Sequence, residues 1–404
     1  MVVIYMNTNE LIPKLRFAGF EKEWESSTIE KIATIVGGGT PRTEVEEYWD
    51  GEIKWFTPSE IGKTKYIHDS NRHITEEGLK NSSAKLLPKN TILLTSRATV
   101  GEISISLTEC STNQGFQSLI TKKNANNEFI YYLISTMKNE FLRRASGSTF
   151  LEISKNEIKK IGINIPELTE QNKISNFFSV IDNKIEMLEK EYHYYQNFKK
   201  YLMQGIFSNQ NDKLRFNFTE EWEKYLLGDI STIGKGFTPS TSNPNYWDGN
   251  IDWLSIADMN QGKYINQTTK KITLEGCKNK EIIKKGTLIM SFKLTIGKLG
   301  ILNKDMFTNE AICNFKWKNN DILTEYMYYY LNSINIMKYG SQAAKGITLN
   351  NETLNTIPIL LPSINEQKKI VSILSDVDYK IELLQSNIIN INKFKKGLLQ
   401  QMFV

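Results

Sequence analysis

The chain repeats itself, and that constrains its fold more than anything else in it. Lys14-Leu15-Arg16-Phe17 returns as Lys213-Leu214-Arg215-Phe216, and Tyr48-Trp49-Asp50-Gly51 returns as Tyr246-Trp247-Asp248-Gly249. Thr40-Pro41 matches Thr238-Pro239, and Lys65-Tyr66-Ile67 matches Lys263-Tyr264-Ile265, a constant shift of 198 positions from Thr40 to Ile67. The shift then becomes 196: Thr91 pairs with Thr287, Gly101 with Gly297 and Asn113 with Asn309. Further on, Pro166-Glu167 matches Pro362-Ser363, Glu170-Gln171 matches Glu366-Gln367, Asp182 matches Asp378, and Phe198-Lys199-Lys200 matches Phe394-Lys395-Lys396. Solenoid repeats run about 20–50 residues, so a unit this long is a duplicated domain instead. Pseudo-twofold symmetry within one polypeptide follows. Duplication of a scaffold with no symmetric task is the plainer alternative.

Each half joins two kinds of sequence. Its first part, roughly 150 residues, is mixed. Short apolar runs at Thr91–Thr95, Glu102–Leu107 and Thr287–Ser291 read as strands, broken by clusters such as Gly37-Gly38-Gly39, Asn126-Asn127 and Asn319-Asn320. Asn127–Met137, continuing toward Arg144, reads as a helix, with Leu323–Met337 as its counterpart. The last part carries a heptad seam. Ile174, Phe178, Ile181, Ile185, Leu188, Tyr192, Tyr195 and Leu202 recur at alternating spacings of four and three, with Lys199 in one slot. The second copy is Ile370, Leu374, Val377, Ile381, Leu384, Ile388, Ile391 and Leu398, with Lys395 in the same slot. Pro166 and Pro362 punctuate the starts. Each helix would run about 40 residues, roughly 60 Å at 1.5 Å per residue. Withdrawing one Leu or Ile from water contributes about 1.5–3 kcal/mol, so two matching seams are expected to bury each other. The alternative is that each helix packs on its own domain.

Chemistry is sparse. The cysteines are Cys110, Cys277 and Cys313, with no CxxC pair, and the histidines are His68, His73 and His193. A cysteine zinc site and an HExxH centre are therefore excluded, and a disulfide framework is not expected. Neither a GxxxxGK phosphate loop nor GxGxxG occurs; Gly234-Lys235-Gly236 lacks the spacing. Asp50, Glu52 and Lys54 resemble the acidic-x-Lys part of a metal-dependent nuclease, but the second copy has Asp252 where the lysine stands. No run approaches the ~18 apolar residues that span a bilayer, and the first ten residues lack a signal-peptide pattern. A cytoplasmic protein with no membrane partner is expected.

The remaining reading is a binding protein. The net charge of +5 permits a polyanionic partner. Ser96-Arg97-Ala98-Thr99 and Phe292-Lys293-Leu294-Thr295 follow strand-like runs, as phosphate-gripping or base-reading loops would. Arg contacts guanine bidentately, and amide or carboxylate side chains such as Gln114 and Glu310 face adenine or cytosine edges. The candidate DNA contacts are Thr40, Lys63, Lys65, Ser96, Arg97, Thr99, Asn113, Gln114, Arg143 and Arg144 in the first half. In the second they are Thr238, Lys263, Lys293, Thr295, Lys298, Asn309, Lys338 and Lys345. For each lysine, a solvated surface charge is the bland alternative. The repeated tryptophans Trp24, Trp49 and Trp55, with Trp222, Trp247 and Trp253, read as core anchors ahead of base-stacking platforms.

Pro-Lys-Leu-Arg-Phe at 13–17 with Trp24, the Gly-Gly-Gly-Thr-Pro turn at 37–41, Tyr48-Trp49-Asp50-Gly51 and the repeated Glu-Gln helix starts together resemble the specificity subunit of type I restriction-modification systems. The resemblance spans nearly the whole chain. It implies a mixed α/β (α+β) fold: two globular target recognition domains, at 13–165 and 212–361, separated by two long helices, at 166–208 and 362–404, that form an antiparallel coiled coil. It implies a non-catalytic chain that reads a bipartite asymmetric double-stranded DNA site, one half per domain, with the coiled coil setting the spacer. Two methyltransferase subunits and two restriction subunits are the implied partners. No cofactor is implied in this chain; S-adenosylmethionine, ATP and Mg²⁺ are implied for the partners. A nuclease built on Asp50, Glu52 and Lys54, or a coiled-coil scaffold that does not touch DNA, are the alternatives.

Overall fold

The computed structural model describes residues 2–4, 11–147, 151–208, 214–293, 295–343 and 346–404. Lys345, one of the candidate DNA contacts, lies outside the described residues. The chain forms two compact units. The first comprises residues 1–189 and 386–404, and the second residues 190–385. This division differs from one drawn by sequence pattern, because each long helix contributes its first half to one unit and its second half to the other.

The first unit is built on a five-stranded sheet in the order Ala33–Gly37, Gln117–Thr121, Ile92–Leu94, Ile103–Ser106, Tyr66–Ile67. All neighbours run antiparallel except the last pair. Ile92–Leu94 and Ile103–Ser106 are buried throughout; the first is wholly apolar, whereas the second alternates Ile with Ser104 and Ser106, whose hydroxyls bond to Thr64 O and Thr108 O. Beside it lies a three-stranded sheet with Trp49–Phe56 at its centre, parallel to Ser111–Thr112 and antiparallel to Arg72–Ile74. The second unit repeats this: Ser231–Lys235, Ile312–Trp317, Leu288–Ser291, Leu299–Leu302, Tyr264–Ile265, with Trp247–Leu254 at the centre of its smaller sheet. The helix Asn127–Thr136 and its counterpart Thr324–Ser333 cover the larger sheets through buried residues including Phe129, Leu133, Tyr326 and Tyr330.

The repeated Trp-Asp-Gly is structural. Asp50 and Asp248 both adopt φ of 57°, and both strands slip register directly after the tryptophan. Aspartate tolerates the left-handed region better than most residues, so the motif fits the bulge. The bulge sets Trp49 edge-on to Trp55, with centroids 5.1 Å apart, and Trp247 to Trp253 in the same way. The inner indoles donate to Gly39 O and Phe237 O at 2.9 and 2.8 Å.

The long helices are Leu168–Phe207 and Ile364–Met402. In the first unit Ile174, Phe178, Ile181 and Ile185 join the core together with Leu398 and Met402 from the other helix and Phe403 just beyond its end. Phe178 lies 6.0 Å from Phe403, and Asp182 meets Lys395, so the two segments run antiparallel. In the second unit Leu202 and Ile206 pack with Ile370, Leu374 and Val377. The pairs Glu191–Lys380 and Asp378–Lys199 show the same antiparallel sense. Leu188 and Leu384 are buried, and Ile381 is half-buried. Both sequence readings of the seams hold within each unit: a helix start packs on its own domain and on the end of the other helix.

Candidate nucleic-acid interface

Three loops of the first unit converge on one rim. Gly39 N donates to Thr112 O at 2.8 Å, tying the glycine-rich turn to the segment before Asn113. Thr40 Oγ1 donates to Gln114 Oε1 across 74 positions. Ser96 N donates to Gly115 O at 2.7 Å, bringing in the tip of the hairpin between Ile92–Leu94 and Ile103–Ser106. Gly38 is required here, since a Cβ on it would sit 2.0 Å from Asn113 O. The second unit builds the same rim: Phe237 N to Thr308 O at 2.8 Å, Thr238 Oγ1 to Glu310, and Phe292 N to Ala311 O at 3.0 Å. Gly236 meets the same restriction from Thr308 O.

The hairpin tip is shaped from within. The buried Thr95 hydroxyl donates to Thr99 O at 2.5 Å and accepts from Glu102 N at 3.0 Å. Ser291 does the same toward Thr295 O and Lys298 N. Arg97 and Thr99, or Lys293 and Thr295, are thereby left exposed at the tip. Asn113 and Asn309 each accept from the backbone two residues on, shaping the third loop, while Gln114 and Glu310 are exposed. Glu310's carboxyl lies below the usual carboxylate range because the Thr238 hydroxyl donates to it, with Lys293 adding attraction.

Of the sequence-chosen residues, Thr40, Arg97, Thr99, Asn113 and Gln114 gather in the first rim, and Thr238, Lys293, Thr295 and Asn309 in the second. Arg97 is paired with Glu152 at 2.8 Å, a partner 55 positions away that sequence spacing does not reveal. Three residues need correcting. Ser96 is fully buried, because its backbone is what binds the rim together. Lys65 and Lys263 are interior ties rather than DNA-facing cations. Arg143 and Arg144 both pair with Glu140, and Arg144 also with Glu157. Lys298 donates to Asn260. Lys63 and Lys338 are exposed, with no bond to the rim loops among the described residues.

Lys65 belongs to a polar cluster. Its ammonium reaches Glu128 Oε2 at 3.0 Å, Tyr132 Oη at 2.8 Å and Ser179 Oγ at 3.0 Å. Tyr132 donates to Asp182, which accepts Lys395 from the other long helix at 2.5 Å. The second unit repeats it: Lys263 with Tyr329 and Ser375, Tyr329 with Asp378, and Asp378 with Lys199 at 2.5 Å. Burial lowers the pKa of both Lys65 and Lys263 and raises that of both tyrosines. The charged slots in the heptad seams are thus the lysines of this cluster.

The Glu-Gln motif has an equally local role. Arg16 grips Glu170 bidentately, both contacts 2.7 Å and both residues buried; Arg215, itself partly exposed, grips buried Glu366 bidentately at 2.7 and 3.0 Å. Gln171 donates to Pro166 O at 2.9 Å and accepts from Asn126 N at 2.8 Å; Gln367 does so with Pro362 and Leu323. These contacts fix where each long helix leaves its sheet. Lys54 stands on the central strand beside His73, and its counterpart Asp252 is paired with Lys304 at 2.6 Å, so the nuclease reading gains no support. Among the described residues no group of His, Cys, Asp and Glu is placed to hold a metal, and no helix is long and apolar enough to cross a membrane.

Two copies of one rim, each on a mixed domain seated on a long helix, define a duplicated recognition module. The family model for the type I restriction modification DNA specificity domain matches residues 21–194 and 219–393. The chain is 29% identical over 401 residues to the type I restriction enzyme MjaIX specificity subunit of Methanocaldococcus jannaschii, covering 94% of this chain and 93% of that one. It is 22% identical over 406 residues to the EcoprrI specificity subunit of Escherichia coli, covering 94% and 92%. Its fold matches the crystal structure of the type I restriction-modification S subunit from M. genitalium with a TM-score of 0.61 at 17% identity, over 97% of this chain and 99% of that one. The chain belongs to the specificity subunits of type I restriction-modification systems, the non-catalytic components that carry DNA recognition.

Proposed function

We propose that the two rims read the two halves of a bipartite, asymmetric DNA site. The observation that carries this is one geometry furnished with different side chains: Arg97 against Lys293, and Gln114 against Glu310. Released from Glu152, Arg97 matches the O6/N7 edge of guanine. Gln114 matches adenine, and Glu310 accepts from the cytosine amino group. The exposed lysines and Arg143 supply phosphate contacts. The long helices hold the spacer between half-sites and dock two methyltransferase subunits, with two restriction subunits joining in the cytosol. S-adenosylmethionine, ATP and Mg²⁺ act on those partner chains.

The test is a map of methylated adenines in the host genome, with and without this gene. A bipartite motif present only with the gene is the expected result. No gene-dependent motif, together with no sequence-dependent methylation when the purified chain is mixed with its methyltransferase, overturns the reading.

A further inference from the structure

The repeat breaks on the outer face of the second unit's large sheet. In the first unit this face is filled: Val36 and Ile120 pack with Phe56, Leu87 and Phe116. The strand registers make Gly234 the counterpart of Val36 and Lys316 the counterpart of Ile120, since Val36 opposes Ser118 as Gly234 opposes Asn314. Two apolar fillers have thus become a glycine and a lysine. A concavity of about 510 Å³ opens in their place, on the strands Ser231–Lys235 and Ile312–Trp317 and bounded by residues 280–284. A side chain at 234 would close part of it, because a Cβ there falls 2.6 Å from the Asn314 amide oxygen.

Four lysines line the space: Lys235, Lys280, Lys284 and Lys316. Lys284 is paired with Asp305 at 2.9 Å. The other three are exposed and have no carboxylate partner among the described residues, and Glu281 is the one acid in the lining. Lys280 lies over the Phe237 ring at 5.4 Å, and both residues line the concavity. Buried Phe307 and half-buried Asn314 also line it. A concave wall with a clear excess of positive charge beside buried apolar surface concentrates anions. Gly236 and Phe237 line the concavity, and Thr238, the next residue, forms the rim. An anion held here therefore sits one residue from the loop assigned to base reading.

We infer that this concavity grips the phosphate backbone of the DNA whose half-site the second unit reads, an electrostatic hold that the first unit lacks. The inference rests on the recognition role proposed above. Lys235, Lys280 and Lys316 act as phosphate ligands and carry no base information. Neutralising them weakens every sequence alike and flattens the salt dependence, because each lost phosphate contact removes about 0.9 from the slope of log K against log salt.

The experiment compares the wild-type chain with the triple variant Lys235→Gln, Lys280→Gln, Lys316→Gln, each assembled with its methyltransferase, on duplexes carrying the mapped site. All three side chains are exposed, so the fold is retained, as circular dichroism checks. The expected result is a slope shallower by about 2–3, with both half-site preferences unchanged. An unchanged slope overturns the inference, as does a changed base preference in the second half-site. Binding of AMP or inorganic phosphate to the wild-type chain at micromolar concentration, lost in the variant with no change in slope, also overturns it and marks a small-anion pocket. Failure of the wild-type complex to prefer any bipartite site overturns the recognition role itself, an outcome distinct from these.

Discussion

Single residues in this chain are repeated for geometry as much as for binding. Asp258 shows the pattern. Its carboxylate accepts Ser255 N and Oγ at 2.9 and 2.7 Å, and Thr269 N and Oγ1 at 3.1 and 2.8 Å. Glu60, 198 positions earlier, accepts Thr57 N, Thr57 Oγ1 and Asn71 N. Burial disfavours the ionised Asp258, but the hydrogen bonds outweigh it and hold its pKa below the ordinary value. A depressed carboxylate stabilises the fold fully above the unfolded pKa near 3.9, and that contribution is lost as pH falls through the folded value. Asp258→Asn is expected to cost about 1–3 kcal/mol at pH 7, with the gap to wild type closing in acid. Urea unfolding at a series of pH values checks this, and a gap that persists below the folded pKa contradicts it.

Elements are coupled by the paired polar clusters. Glutamine and glutamate at each helix start, and lysine in each seam, interrupt otherwise apolar patterns. The structure pairs every one of them with a residue far away in sequence. Lys395 and Asp182 join the end of one long helix to the start of the other, half-buried at 21% and 18% exposure. Partly desolvated pairs that share a network couple by about 0.5–3 kcal/mol. A double-mutant cycle on Lys395→Ala and Asp182→Ala, read by denaturant unfolding of the full chain, is expected to give a coupling in that range. The Lys199–Asp378 cycle should give a matching value. Additive single mutants would assign the pairs no role in seating the helices. Periodicity alone showed the seam, but nothing local to Lys199 or Lys395 indicates the acid each one meets.

At the scale of the whole molecule, the proposed division of labour separates reading from spacing. Adding one heptad to each long helix is expected to change the spacer length accepted in vivo and leave both half-sites unaltered, as methylome mapping of the variant would show. Altered half-site bases would end that division. The repeat, the seams and the family motifs were all legible in the chain, because duplicated blocks, a 3.5-residue period and short invariant spacings are properties of sequence order. The rim was legible in part: Thr40, Arg97 and Gln114, chosen from sequence, share one rim, whereas Ser96 is buried and Lys65 and Lys263 point into interior clusters. A basic or hydroxyl residue after a strand carries no local sign of whether its neighbours in space are water or Glu128, Tyr132 and Gly115. The lysine-lined concavity escaped notice for the same reason, since Gly234, Lys280 and Lys316 are scattered in the chain and meet only through strand register. Sequence by itself determined that this protein is one domain written twice, with two long helices. Burial and pairing between distant residues depend on contacts that close only in the folded chain, and so only the tertiary structure decided which charges are ties and which face outward.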